Sequence, residues 1–78
     1  MNKSDSYLSP GTKIRYDGGP VPEFGVVVHC WFDQDIHAYD CYVAFFGDQF
    51  PEAKPAHLPY VLRYASMFLA VIDPASSS

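Results

Sequence analysis

The sequence predicts an all-β domain of about five antiparallel strands. The runs "FGVVVHCWF" and "YDCYVAFF" are β-branched and aromatic and contain no proline, the pattern of strands rather than helices. "KIRY" alternates, with Ile14 and Tyr16 on one side and Lys13 and Arg15 on the other, the period of a half-buried strand. Between these runs lie proline- and glycine-rich stretches, "DGGPVPE" and "GDQFPEAKPAHLP", that cannot continue a ladder.

The hairpin formed by the two long runs has a preferred register. Placing Cys30 opposite Cys41 sets Val28 against Val43 and Val26 against Phe45, a uniformly apolar inner face. The outer face then pairs Val27 with Ala44, His29 with Tyr42, and Trp31 with Asp40. A slip of one residue would mix the two sets. The connection must be even in length, and two residues would put Ile36 at positive φ. The four residues from Gln34 to His37, built around a type I turn, fit.

"YVLRYASMFLAVID" reads two ways by periodicity. Val61, Tyr64, Ala65, Phe68 and Ile72 suit one helical face, whereas Tyr60, Leu62 and Tyr64 suit a strand face. The β-rich context favours a strand, one 3-10 turn at Ala65-Ser66-Met67, and a short strand over Phe68–Val71. The long connection before it is expected to order itself by tucking Phe50 and Leu58 inward. Residues 1–9 are expected to form a flexible arm, 10–73 the folded domain, and 74–78 a disordered tail.

A chain of 78 residues makes one small domain, and such a chain buries only about 60% of its extended surface. Aromatic residues reach 17% and charged residues only 18%, against about 25% charged in an average protein. A thin core cannot hide so many rings, so apolar surface is expected to remain for a partner. The net charge is −4, which disfavours sequence-independent binding to nucleic acid or to an anionic membrane. Only Lys3, Lys13, Arg15, Lys54 and Arg63 carry positive charge, and they are scattered. No apolar run reaches the ~18 residues of a membrane-spanning helix, and "MNKSDSYLSPG" lacks the apolar centre of a signal peptide. These features predict a cytoplasmic protein, in which Cys30 and Cys41 are thiols.

The order strand, loop, long hairpin, loop, strand, turn, strand resembles the small SH3-like barrels of the Tudor, KOW and CarD amino-terminal-domain kind. The residues that carry the resemblance are "PGTKIRY", "FGVVVHCWF" with Gly25 opening the second strand, "YDCYVAFFG" and "YVLRYASMFLAVI", over residues 10 to 73. The resemblance implies a barrel whose partners dock on exposed aromatics near strand ends and loops. Such a fold does not by itself define an activity.

Geometry limits the chemistry these residues can support. Zinc needs four converging Cys or His ligands. The chain offers His29, Cys30, His37 and Cys41, with His57 elsewhere, but adjacent strand residues point to opposite faces, which separates His29 from Cys30. The cysteines read as small core hydrophobes, so no metal or cofactor is expected, and a zinc-stabilised module is the second alternative. Cys30 is also separated from the base that a thiol nucleophile requires. Ser4, Ser6, Ser9 and Ser66 suggest no triad, and Gly18-Gly19-Pro20 is a turn rather than a phosphate loop. "DQDIHAYD" begins like a calcium loop but lacks its glycine and terminal glutamate. No enzymatic activity is expected.

The aromatic surface is the remaining lead. His29, Trp31 and Tyr42 share the expected outer face, Phe46 extends it, and Tyr39 lies on the inner set at the loop end. Trp and Tyr anchor interfaces because they bury much area at little entropic cost. The sequence therefore predicts a protein-binding or adaptor module, with a homodimer through Trp31 and Tyr42 as one form of the interaction. A nucleic-acid-associated module, with Lys13, Arg15 and Arg63 converging on one face, is the alternative. An aromatic cage for a methylated cation is a narrower version of the first reading.

Overall fold

The computed structural model describes residues 7–48, 50 and 59–73. Five antiparallel strands form one sheet: β1 (Lys13–Tyr16), β2 (Glu23–Asp33), β3 (Ala38–Gly47), β4 (Tyr60–Ala65) and β5 (Leu69–Asp73). A 3-10 turn, Ser66–Phe68, joins β4 to β5. The all-β reading, the strand at residue 60 and the turn after it are thus the observed architecture, with β5 beginning at Leu69 rather than Phe68. The strand order is β4-β3-β2-β1-β5. β4 and β5 are its two edges, and among the described residues the sheet does not close into a barrel.

The sheet is nevertheless curved. Tyr16 of β1 stacks on Tyr64 of β4 with ring centroids 4.4 Å apart, although β2 and β3 lie between those strands in the sheet. Phe45 meets both rings edge-on, at 6.5 Å from Tyr16 and 5.8 Å from Tyr64. Burial of these rings in the concavity removes apolar area from water, at roughly 25 cal/mol per Å². Tyr16 and Tyr64 pack against a core that consists of Leu8, Ile14, Val27, Cys30, Cys41, Val43, Phe45 and Leu69.

The hairpin of β2 and β3 carries the expected Cys30–Cys41, His29–Tyr42 and Trp31–Asp40 pairs. Its loop is Gln34–His37, between the paired Asp33 and Ala38. The Asp35 amide donates to Asp33 Oδ1 at 2.9 Å, a side-chain turn that starts the reversal. His37 closes it in the left-handed region at φ 52°.

The remaining pairs differ from the expectation. Val27, not Val28, faces Val43, Gly25 faces Phe45, and Val26 faces Ala44. The register shifts between Val27 and His29, so Val28 is an extra residue in β2, a β-bulge. Val27 is 1% exposed and Val28 is 50% exposed. The expected inner set Val26–Val28–Cys30 is therefore corrected to Gly25–Val27–Cys30. Alternation counted along the chain assumes an unbroken pleat, and the bulge inverts it.

The bulge is held from the amino-terminal side. Ser9-Pro10-Gly11-Thr12 forms a turn in which the Thr12 amide donates to the Ser9 carbonyl at 3.1 Å, with Gly11 at φ 95°. That is the proline-then-glycine arrangement of a type II turn. It aims the Gly11 amide at the Val27 carbonyl (2.8 Å) and the Thr12 carbonyl at the Val27 amide (2.9 Å).

Tyr7 and Leu8, at the end of the segment expected to form an arm, contact the folded domain. Leu8 is buried in the core, and Tyr7 packs edge-on against Tyr39 at 6.1 Å. Phe50 packs on Phe24 at 5.4 Å, with the Lys13 ammonium 5.3 Å from its ring centre. Leu58, His57, Lys3, Lys54, residues 1–6 and the tail 74–78 lie outside the described residues.

Candidate functional site

The outer face of β2, β3 and β4 is built from cross-strand rows. One row is Val26, Ala44 and Val61; the next is His29, Tyr42 and Arg63; the third is Trp31, Asp40 and Ala65. Alternation puts these residues opposite Cys41, Val43 and Phe45, all of which are fully buried on the inner side. Bulged Val28 adds a further exposed side chain to the outer surface.

Three of the expected site residues come together. His29 and Trp31 stack at 5.7 Å with an interplanar angle of 22°, and Trp31 meets Tyr42 at 5.0 Å. Tyr42 is 42% exposed and His29 is exposed, whereas Trp31 and Phe46 are half-buried. Phe46 sits at a second register shift, between the Gly25–Phe45 and Phe24–Gly47 pairs, away from the Trp31 cluster. Tyr39 does not join the surface. It packs on the inner side against the core, edge-on to Phe32 at 5.3 Å and to Tyr7. Residues 39 and 41 share a face, and Cys41 is buried there.

Arg63, which sequence reasoning placed only in the nucleic-acid alternative, belongs to this aromatic cluster. Its guanidinium lies 5.3 Å from the Trp31 ring centre. Its Nε donates to Asp40 Oδ2, and its Nη2 donates to Asp33 Oδ2 at 3.0 Å. The hydrogen bond to Asp40, together with the Asp40 and Asp33 charges, raises the arginine above its ordinary value. Asp40 is itself buried, and its Oδ1 accepts the Cys41 amide at 3.0 Å. One face of the indole is therefore supplied with a cation from within the chain, the position an external methylated cation would have to take. The sequence contained a partial signal: Arg63 is the one charged residue in "YVLRYA", and β4 pairing with β3 would put it beside Tyr42.

The basic residues of the nucleic-acid reading do not converge. Lys13 and Arg15 are on β1, and Arg63 is on β4, with two strands between. Arg15 is paired with Asp17, Nη2 to Oδ2 at 3.0 Å, and Arg63 with Asp33 and Asp40. Among the described residues no three His, Cys, Asp or Glu side chains gather in a way that could hold a metal ion. No helix among them is long and apolar enough to cross a membrane.

At the other end of the sheet, the Tyr60 hydroxyl donates to Glu23 Oε1 and links β4 to β2. That hydrogen bond raises the Tyr60 phenol, and burial raises that of Tyr64. On the inner side, burial pushes the Cys41 thiol up to about 12, helped by its hydrogen bond with Cys30 and by the charge of Asp40.

These features define a class, a small five-stranded antiparallel domain with a core on one side of its central hairpin and an aromatic surface on the other. No family model, curated protein or solved structure matches the chain.

Proposed function

We infer that the chain is a non-enzymatic protein-binding or adaptor module whose contact surface is the outer face of β2, β3 and β4. The observation that carries this reading is the run of Val26, Val28, His29, Trp31, Tyr42 and Val61 on a face that the core does not use. Val28, Tyr42 and Val61 are exposed there without a role in covering the core. The face is apolar and aromatic, with its one guanidinium neutralised by Asp33 and Asp40. That set of groups suits contact rather than proton or group transfer. Trp31 is pinned by His29 and Arg63, so it enters a complex already oriented.

The order of elements, with a 3-10 turn between β4 and β5 and β5 returning beside β1, supports placing the domain with SH3-like barrels of the Tudor, KOW and CarD kind. It is a fold-level likeness and carries no partner of its own.

The test is a double variant, Val28→Ala with Tyr42→Ala, which removes exposed contact area without touching the core. Its melting temperature is expected to match the wild type. The reading expects loss of the proteins captured by the wild-type domain from native extract or, where the partner is a second copy, loss of the dimer in analytical ultracentrifugation. A correctly folded double variant with unchanged capture and unchanged oligomeric state would refute it.

A further inference from the structure

We propose that Cys30 and Cys41 form an oxidation site, a dithiol that closes into a disulfide across the β2–β3 hairpin. The two residues are direct partners in the ladder and share the inner face, both as free thiols. Both side chains belong to the same buried core cluster. Directly opposed residues of antiparallel strands have Cα atoms about 4.5–5.5 Å apart, and a disulfide accepts about 4.4–6.8 Å. The bridge therefore needs little movement of the backbone.

The oxidant is a low-molecular-weight disulfide such as oxidised glutathione. One cysteine sulfur attacks the reagent's S–S bond as a thiolate, forms a mixed disulfide and expels one thiolate. The second cysteine then attacks the protein-bound sulfur, the cross-strand S–S bond forms, and the second thiolate leaves. Two thiols of the protein become one disulfide, and the reagent departs as two thiols carrying the two protons.

The structure sets the order of these steps. Cys30 is 5% exposed and Cys41 is 0% exposed. Cys30 lies under the amino-terminal segment, whose Leu8 amide donates to Cys30 Sγ at 3.4 Å. Lifting residues 7–9 uncovers Cys30, whereas Cys41 is covered by the sheet and holds its proton. Cys30 is the attacking residue and Cys41 the resolving one.

The staple lies beneath the aromatic surface. Each cysteine is flanked along its strand by outer-face residues: Cys30 by His29 and Trp31, Cys41 by Asp40 and Tyr42. Closing the bridge fixes the two strands at the positions where these side chains emerge.

The experiment incubates the reduced protein with oxidised glutathione and follows intact mass and free thiol content. The expected product is a monomer lighter by two hydrogens, with no free thiol and a melting temperature higher by on the order of 10 °C. Cys41→Ser is expected to stop at a stable mixed disulfide on Cys30. Cys30→Ser is expected to react at least tenfold more slowly, and Leu8→Ala with both thiols intact to close several-fold faster than wild type. A folded wild type that keeps both thiols, or that gives only intermolecular dimers, overturns the proposal. Equal reactivity of the two single-cysteine variants overturns the assigned order. The wild-type mass measurement decides the main question even where a serine variant fails to fold.

Discussion

Replacing Gly25 by alanine tests the geometry that sorts β2 into its two faces. A Cβ at residue 25 would lie 2.7 Å from Val43 Cγ1, 2.8 Å from the Ala44 carbonyl oxygen and 3.1 Å from Phe45 Cδ1. Val43 and Phe45 are fully buried, so a side chain displaced there presses on close-packed neighbours. The Ala44 oxygen belongs to the backbone of β3 and moves only if the strand moves. Overpacking a core costs about 1–3 kcal/mol, and a clash with backbone places this case near the upper end, about 3 kcal/mol. A domain of 78 residues has a total stability of roughly 4–12 kcal/mol. With an unfolding entropy of about 2.1 cal/mol/K per residue, 3 kcal/mol corresponds to a fall in melting temperature of about 18 °C. The control is Gly19→Ala, where the nearest atom is the Val21 carbonyl oxygen at 3.8 Å. There the loss of unfolded-chain freedom is expected to add about 0.4–1 kcal/mol. Thermal and urea unfolding followed by circular dichroism measures both. A Gly25→Ala protein melting within about 3 °C of wild type would refute the close approach of β2 to β3 at this point.

The bulge has its own test. Val27→Ala is expected to cost about 2 kcal/mol and Val28→Ala less than about 0.5 kcal/mol, and the opposite ranking by urea unfolding would restore the regular register. The Cys41 thiol ordinarily ionises at 9.0 and is held near 12 in the fold, so above pH 9 the unfolded chain releases a proton that the folded chain keeps. Its contribution is complete below pH 9 and lost as pH rises toward 12, by about 1.4 kcal/mol per unit. Urea midpoints at pH 8 and pH 10 should show a smaller alkaline loss in Cys41→Ala than in wild type, and equal losses would contradict the burial of this thiol. Trp31 is the single tryptophan, so its emission reports on the outer face. Arg63→Met removes the cation from the indole and should red-shift the emission and raise quenching by iodide; unchanged spectra would exclude the Arg63–Trp31 contact.

Much of this arrangement was legible in the sequence. Proline-free β-branched runs forecast β2 and β3. The opposition of Cys30 and Cys41 followed from matching apolar residues across a four-residue loop, and it brought the His29–Tyr42 and Trp31–Asp40 pairs with it. The error entered between Gly25 and Cys30. Residue 25 faces inward where the Phe45 ring and a Val43 methyl leave no room for a side chain, so glycine stands there. With residues 25 and 30 both inward, the intervening stretch must contain one extra residue. The signal was there in the glycine, but reading it required knowing which residue stood opposite.

The sequence by itself determined which segments are strands, where the chain turns, and that one hairpin would present thiols on one side and an indole on the other. These depend on neighbours one to four residues apart, whose preferences for pleat and turn act locally. The tertiary structure alone decided the bulge at Val28, the docking of Leu8 against Cys30, the stacking of Tyr16 on Tyr64 and the seating of Arg63 between Asp40 and Trp31. Each of these joins parts of the chain far apart in sequence. Their geometry is set by the curvature of the whole sheet and by the volume left inside it, quantities that no local pattern contains.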